Sequence, residues 1–305
     1  MYFCDLQKGI IYIILSGLCF VIVNFFVKIL GAGEHQNIID NIQHYPAHEL
    51  VLARSIVSFV MSLAIIKYRK IPVFGINKKW LFIRGLAGTI ALTLFFYTFQ
   101  HMPMAIATII QYLAPIFTVI LALIILKEKV KTIQWLFILL SFSGVGLIAF
   151  DKFIGDPSVH FSFFHIGIGM ISAVFSGLAY TSVIKLKHTD APITIVLYFP
   201  MIAIPLMTVF CFWSFTFPQG IEWVLLLVLG IFTQFAQIFL TKALHLGSAA
   251  SITPFQYLGA IYMFLIGYFV FDEKLSFLVN IGIVLVLSGV LLNAVFGKKI
   301  RKNTV

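Results

Sequence analysis

Two short polar patterns interrupt a chain that is otherwise strongly apolar. Thr108, Gln111 and Tyr112 are spaced i, i+3 and i+4, which puts all three on one face of a helix, and the pattern returns as Thr253, Gln256 and Tyr257. Amide and hydroxyl groups so arranged can hydrogen-bond the polar groups of a small organic molecule while the tyrosine ring packs against its body. Gln234, Gln237 and Thr241 form a third stripe at i, i+3 and i+7; Thr89, Thr93 and Tyr97 form a fourth at four-residue steps. Asn24 is the one strongly polar residue of its apolar surroundings, and Tyr180 and Thr181 follow a Ser176-Gly177 step. The expected binding set is therefore Asn24, Tyr97, Thr108, Gln111, Tyr112, Tyr180, Gln234, Gln237, Gln256 and Tyr257. A structural reading competes at every position, because Gln and Thr also tie helices together and Thr bonds back to its own helix.

Three cations sit inside apolar runs. Arg54 is about two turns into its run, too deep to be left without a partner, and is expected as a charged gate meeting a carboxylate or phosphate, as a structural pair, or snorkelling to the outer headgroups. Lys28 and Arg84 lie near the ends of theirs, where snorkelling to the headgroups is expected. No acidic residue falls at the centre of any run, so no buried carboxylate proton relay is indicated, and the expected cavity is mostly uncharged. Neither H-E-x-x-H nor a G-x-x-x-x-G-K-[ST] loop occurs, which speaks against a metal-dependent membrane enzyme and against ATP-driven work by this chain alone. No cofactor is expected. His35, His44 and His48 cluster between two runs without the spacing of a metal motif, and Cys4, Cys19 and Cys211 are too scattered to pair. Pro115, Pro192, Pro200, Pro205 and Pro254 mark kinks that expose carbonyls, act as hinges, or are simply tolerated.

The elements that must position these residues follow from composition. Of 305 residues 61% are apolar and 10% charged, against about 45–50% and about 25% in soluble domains. No soluble interior can hide that much apolar surface, whereas a helix of about 20 apolar residues crosses a bilayer. The runs predict an all-α integral membrane protein with about ten spans, at 9–30, 47–66, 80–99, 104–126, 132–150, 164–186, 192–213, 222–243, 247–271 and 276–296. With the N-terminus cytoplasmic, sixteen Lys and Arg fall in inside segments and two outside, so both termini are expected inside. The net charge of +10 is then accounted for by contact with anionic lipid, and nucleic acid is not an expected partner.

An internal repeat organises the spans. At a constant offset of 145, residues 85–150 align with 230–295 without a gap, giving 17 identities over 66 positions. These include Gln111-Tyr112-Leu113 on Gln256-Tyr257-Leu258, Glu128-Lys129 on Glu273-Lys274 and Ser143-Gly144-Val145 on Ser288-Gly289-Val290. The first helices match more weakly, Ser16-Gly17-Leu18 on Ser176-Gly177-Leu178. Two five-helix repeats are expected, over 1–150 and 151–305, and an odd number of spans per repeat inverts the second in the membrane.

These residues resemble the EamA-type branch of the drug/metabolite transporter superfamily: the 5+5 pattern, Leu126-Lys127-Glu128-Lys129 after span four, Phe271-Asp272-Glu273-Lys274 after span nine, and the Ser-Gly-Val stretches of spans five and ten. The resemblance implies a carrier whose central cavity is lined largely by spans one, three, four, six, eight and nine. It implies secondary transport of a small organic metabolite, such as an amino acid or nucleoside-like solute, by alternating access; the alternatives are export of drugs or toxic metabolites, a channel, or a membrane-embedded enzyme. The segment from Gly31 to Ala47 is longer than the resemblance would have it.

Overall fold

The computed structural model describes residues 2–31, 42–125, 127, 132–154, 162–213, 215–246, 258–272 and 275–301. Among them every named element is a helix: α1 (Tyr2–Leu30), α2 (Ala47–Arg69), α3 (Lys78–His101), α4 (Met104–Gln111), α5 (Ala114–Ile125), α6 (Thr132–Ile154), α7 (Phe163–Leu186), α8 (Pro192–Cys211), α9 (Glu222–Leu246), α10 (Leu258–Phe271) and α11 (Phe277–Arg301). Seven segments are long and apolar enough to cross a bilayer, with α4 and α5 counted as one, and three shorter apolar stretches lie within α6, α10 and α11. Large apolar side chains such as Val60 (61% exposed) and Phe269 (76% exposed) point outward. In water such a surface would be an aggregation patch; in lipid it is ordinary. The chain is a multi-pass membrane protein of about ten helices.

Span four differs from the sequence reading in being broken. Pro115 has no N–H for the carbonyl of Gln111, and its ring would collide with that oxygen in a straight helix. The chain tightens instead, with Leu113 N–H donating to Ile110 O (3.1 Å) and Ile116 N–H to Leu113 O (2.9 Å). The break falls at Tyr112–Leu113, in the middle of the span, and so carries a predicted site residue.

The two repeats are visible in the packing. α1 packs along α9 and α3 along α7, while α2 packs along α8 and α6 along α11. Exchanging the first five spans for the last five leaves this set of partners unchanged, as a pseudo-two-fold axis requires. Finer detail obeys the same exchange. A Cβ on Gly144 would lie 2.6 Å from Gly282 O and 2.8 Å from Val286 N; one on Gly289 would lie 2.6 Å from Phe137 O and 2.8 Å from Ser141 N. Lys127 and Asp272, also 145 apart, both take positive φ (54° and 49°) beyond the ends of α5 and α10.

The first helices follow another offset than the sequence match gives. Ser16 Oγ donates to Ala236 O (2.8 Å), and Ser172 Oγ donates to Ala91 O (2.7 Å). Because Ala91 and Ala236 are equivalent, Ser16 corresponds to Ser172, one helical turn before Ser176. The offset there is 156.

Carboxylates make two matched junctions, one joining the segment before α2 and the first turn of α2 to the α8–α9 connection and the start of α9, the other joining the α7–α8 connection to the start of α3. At the first, Glu222 accepts from Tyr45 Oη (2.5 Å), Gln43 N (2.6 Å) and Gln219 N (2.7 Å), and Glu49 accepts from Thr216 N (3.2 Å). At the other, Asp190 accepts from Ile76 N (2.6 Å), Asn77 N (3.4 Å) and Thr189 Oγ1 (2.6 Å), while Thr194 Oγ1 donates to Pro72 O (3.1 Å). Tyr45 and Asp190 are equivalent at the offset of 145, as are Asn77 and Glu222. The same junction is therefore made twice with donor and acceptor exchanged.

Candidate substrate cavity

A cavity of about 150 Å³ lies where the repeats meet. Asn24 of α1, Arg54 of α2, Arg84 of α3, Thr108 and Gln111 of α4, Tyr112 at the break, Tyr180 of α7 and Gln237 of α9 all line it, with Phe96 and Phe199 among its aromatic walls. Spans two and seven contribute as well as the six that the resemblance implies, because Arg54 and Phe199 both reach the centre. Equivalent positions oppose one another across the axis: Asn24 and Tyr180 at the offset of 156, and Arg54 and Phe199 or Leu92 and Gln237 at 145. Equivalent places thus hold unlike chemistry, and both arginines come from the first repeat.

Each polar group has a defined environment. Gln111 Nε2 donates to Ser176 Oγ (2.7 Å), and its Oε1 accepts from Ser172 Oγ (3.1 Å), so the amide both borders the cavity and ties α4 to α7. Thr108 Oγ1 is buried with no hydrogen-bond partner among the described residues. A Cβ on Gly259 would sit 2.7 Å from Tyr112 Oη, so the missing side chain of Gly259 makes room for that hydroxyl. Arg84 Nη2 donates to Gln237 Oε1 (3.2 Å), while its Nε has no partner among the described residues.

Two expected site residues lie elsewhere. Gln234 is fully buried between α9 and α2, bonded to Ser58 Oγ and Ser62 Oγ. Three residues along a helix are still about 60° apart around it, enough to aim Gln237 at the cavity and Gln234 at α2. Tyr97 stacks on His101 at 4.3 Å and meets His165 at 5.9 Å. Four-residue steps drift by about 40° each, so the stripe starting at Thr89 has turned toward α7 by Tyr97. Thr89 and Thr93 bond back to Gly85 O (2.8 Å) and Thr89 O (2.9 Å), the structural alternative for such residues. Gln256 and Tyr257, with Thr253, Pro254, Glu128 and Glu273, lie outside the described residues. So does His35, whereas His48 packs against Phe210.

Gln234 accordingly yields a modest prediction. Gln234→Leu should lower thermal stability in detergent by about 0.6–1.7 kcal/mol, the range of interhelical hydrogen bonds in membranes. Solute affinity should be unchanged, and a ligand-induced melting shift reduced alongside stability would contradict this placement.

The intramembrane cations differ most from expectation. Neither Lys28 nor Arg84 snorkels: they are 2% and 3% exposed. Lys28 Nζ donates to Met102 O (2.7 Å) and Phe99 O (3.3 Å), the carbonyls ending α3, where a cation is favoured. Arg54 is fully buried, and none of its guanidinium nitrogens has a hydrogen-bond partner among the described residues. Its guanidinium carbon lies 5.2 Å from the Phe199 ring centre and 5.6 Å from that of Phe96. Two cations thus line a cavity expected to be mostly uncharged.

Known proteins share this architecture. The EamA-like transporter family matches residues 7–150 and 164–295. The pseudopaline exporter CntI of Pseudomonas aeruginosa is 26% identical over 84% of this chain and 85% of its own. An S-adenosylmethionine uptake transporter of Rickettsia prowazekii is 23% identical over 87% of this chain and 85% of its own. One solved crystal structure covers 98% of this chain and 99% of its own with a TM-score of 0.66 at 16% identity, a likeness of fold alone.

Proposed function

We propose, from the premise that this chain belongs to the EamA-like transporter family, that the cavity on the pseudo-two-fold is the substrate site of a secondary carrier working by alternating access. The protein is a transporter of small molecules and not an enzyme, as its family and relatives are. The observation that carries the site is convergence: polar side chains from six spans, chosen by spacing alone or buried against lipid expectation, meet in one aromatic-walled space. The equivalence of Gln256 and Tyr257 to Gln111 and Tyr112 at the offset of 145 makes them the next candidates for substrate contact.

The size of the cavity favours a metabolite over a drug. Drug-sized ligands occupy pockets of about 300–1,000 Å³, well above the space here. Export of pseudopaline and uptake of S-adenosylmethionine by relatives, together with a nearly symmetric scaffold, support either direction of transport. We place the repeats at 1–150 and 151–305 and both termini in the cytoplasm of a bacterial inner membrane, supported by the strong bias of Lys and Arg to one side.

Gln111→Ala tests the site. Losing the amide empties part of the cavity wall, while Ser172 Oγ keeps its bond to Ala91 O and Ser176 Oγ can bond back to α7, so the fold should persist. Counterflow in proteoliposomes of a solute identified by melting shift should fall at least about tenfold, equivalent to about 1.4 kcal/mol of binding. Undiminished flux in both Gln111→Ala and Gln256→Ala would remove the cavity from the transport path.

A further inference from the structure

Resting on the reading of the cavity as the substrate site, we infer that the transported solute carries an acidic group, a carboxylate, phosphate or sulfonate, bound between Arg54 and Arg84. Both arginines line this cavity, and none of its lining among the described residues is acidic. The buried carboxylates among the described residues are engaged elsewhere: Glu222 by Tyr45, Gln43 and Gln219, Glu49 by Thr216, and Asp190 by Ile76, Asn77 and Thr189. Arginine keeps its charge in proteins, and two like charges out of water repel each other while each has lost its hydration. The Phe96 and Phe199 faces return only part of that loss to Arg54. The Gln237 oxygen satisfies one of the five N–H groups of Arg84.

What remains unsatisfied is a set of donors in fork geometry, for which the complementary ligand is a planar or tetrahedral oxyanion accepting two bonds at once. Packing supports the arrangement. A Cβ on Gly88 would lie 2.4 Å from Arg84 Nη1, so this glycine lets the guanidinium lie against its own helix and face the cavity. On the other sides stand Asn24, Gln111 and Tyr112, uncharged groups suited to the polar body of the solute. The ligand class is therefore a small organic anion or a zwitterion whose acidic end is read by the first repeat.

The test uses the full-length protein in detergent and in proteoliposomes, as wild type, Arg54→Gln, Arg84→Gln and Arg54→Lys. The probes are matched sets: amino acids and hydroxy acids against their amides, glycerol 3-phosphate against glycerol, and taurine against ethanolamine, which separate carboxylate, phosphate and sulfonate. At least one acid-bearing set should raise the melting temperature and show saturable counterflow, with its uncharged or amine partners inactive. Arg54→Gln should weaken that binding at least about 30-fold, the equivalent of about 2 kcal/mol for a truncated ion pair. Arg54→Lys should keep part of it. Without ligand, Arg54→Gln should melt no lower than wild type, because it removes an uncompensated charge; a structural arginine would give a lower value. Equal response to acids and amides, or acid affinity within about twofold of wild type in both glutamine variants, would overturn the inference and leave the carrier standing. Arginine-dependent binding without saturable counterflow would do the reverse, sinking the carrier and keeping the anion site.

Discussion

Glu222→Ala should destabilise the protein by about 3 kcal/mol, because it removes the charged acceptor shared by three donors, and a buried donor left unsatisfied costs about 1–3 kcal/mol. Glu222 is 2% exposed and receives three hydrogen bonds of 2.7 Å or less, from Tyr45 Oη and from the backbone N–H groups of Gln43 and Gln219. Alanine leaves all three donors without an acceptor, and the hydroxyl of Tyr45, buried at 1% exposure, cannot turn to water without opening this junction. Tyr45→Phe removes only one donor and should cost about 1.5–3 kcal/mol, as for a hydrogen bond to a charged group.

Tyr45 adds a pH signature to the same junction. Burial, and next the bond to Glu222, push its phenol above the ordinary range. A group whose pKa is raised on folding contributes stability that is complete below its unfolded value, about 10, and is lost as pH climbs toward the folded one. Between pH 9 and 11 the wild type should therefore lose stability relative to Tyr45→Phe. Parallel melting curves for the two over that interval would show that the phenol is not held by this carboxylate.

How much of this was legible beforehand differs by feature for physical reasons. The spans were readable because each must supply its own apolar surface over about 20 residues, a requirement that lipid imposes locally. The offset of 145 was readable because an ungapped match over 66 positions preserves polar residues as well as apolar ones, and it returns in the contacts of Gly144 and Gly289. The environment of Arg84 was not. Distance from the end of a span predicts snorkelling only if no neighbour covers the side chain, and here α3 is embraced by α7 and α8. Nor did spacing separate Gln234 from Gln237, since both lie on one broad face of α9 that meets α2 on one side and the cavity on the other. The offset of the first helices was misplaced by a turn because serine recurs there four residues apart, at Ser172 and Ser176, and the bond from Ser172 to Ala91 O fixes the register.

The seam between α6 and α11 carries the second large effect. Gly289→Val should abolish the folded protein or lower its stability by about 3 kcal/mol or more, the upper end of overpacking penalties. The first added atom would lie 2.3 Å from Ser141 Oγ, 2.6 Å from Phe137 O and 2.8 Å from Ser141 N. A serine oxygen can rotate away; backbone atoms on a facing helix cannot. Small residues let membrane helices approach to such distances, and in lipid that close packing replaces the hydrophobic drive that would hold them in water. Gly144, its equivalent, meets Gly282 O and Val286 N at 2.6 Å and 2.8 Å, so Gly144→Val should do comparable damage from the opposite side. Gly146, two residues away on the same helix, has nothing within 4 Å of an added Cβ, so Gly146→Ala should be tolerated. A fluorescence-detected melting series of the three variants reads the result. Equal loss at Gly146 and Gly144 would mean that contact across the axis does not govern this seam, since helix propensity alone favours alanine and valine over glycine. Loss confined to the pair 145 residues apart would show that one interface is built from both repeats.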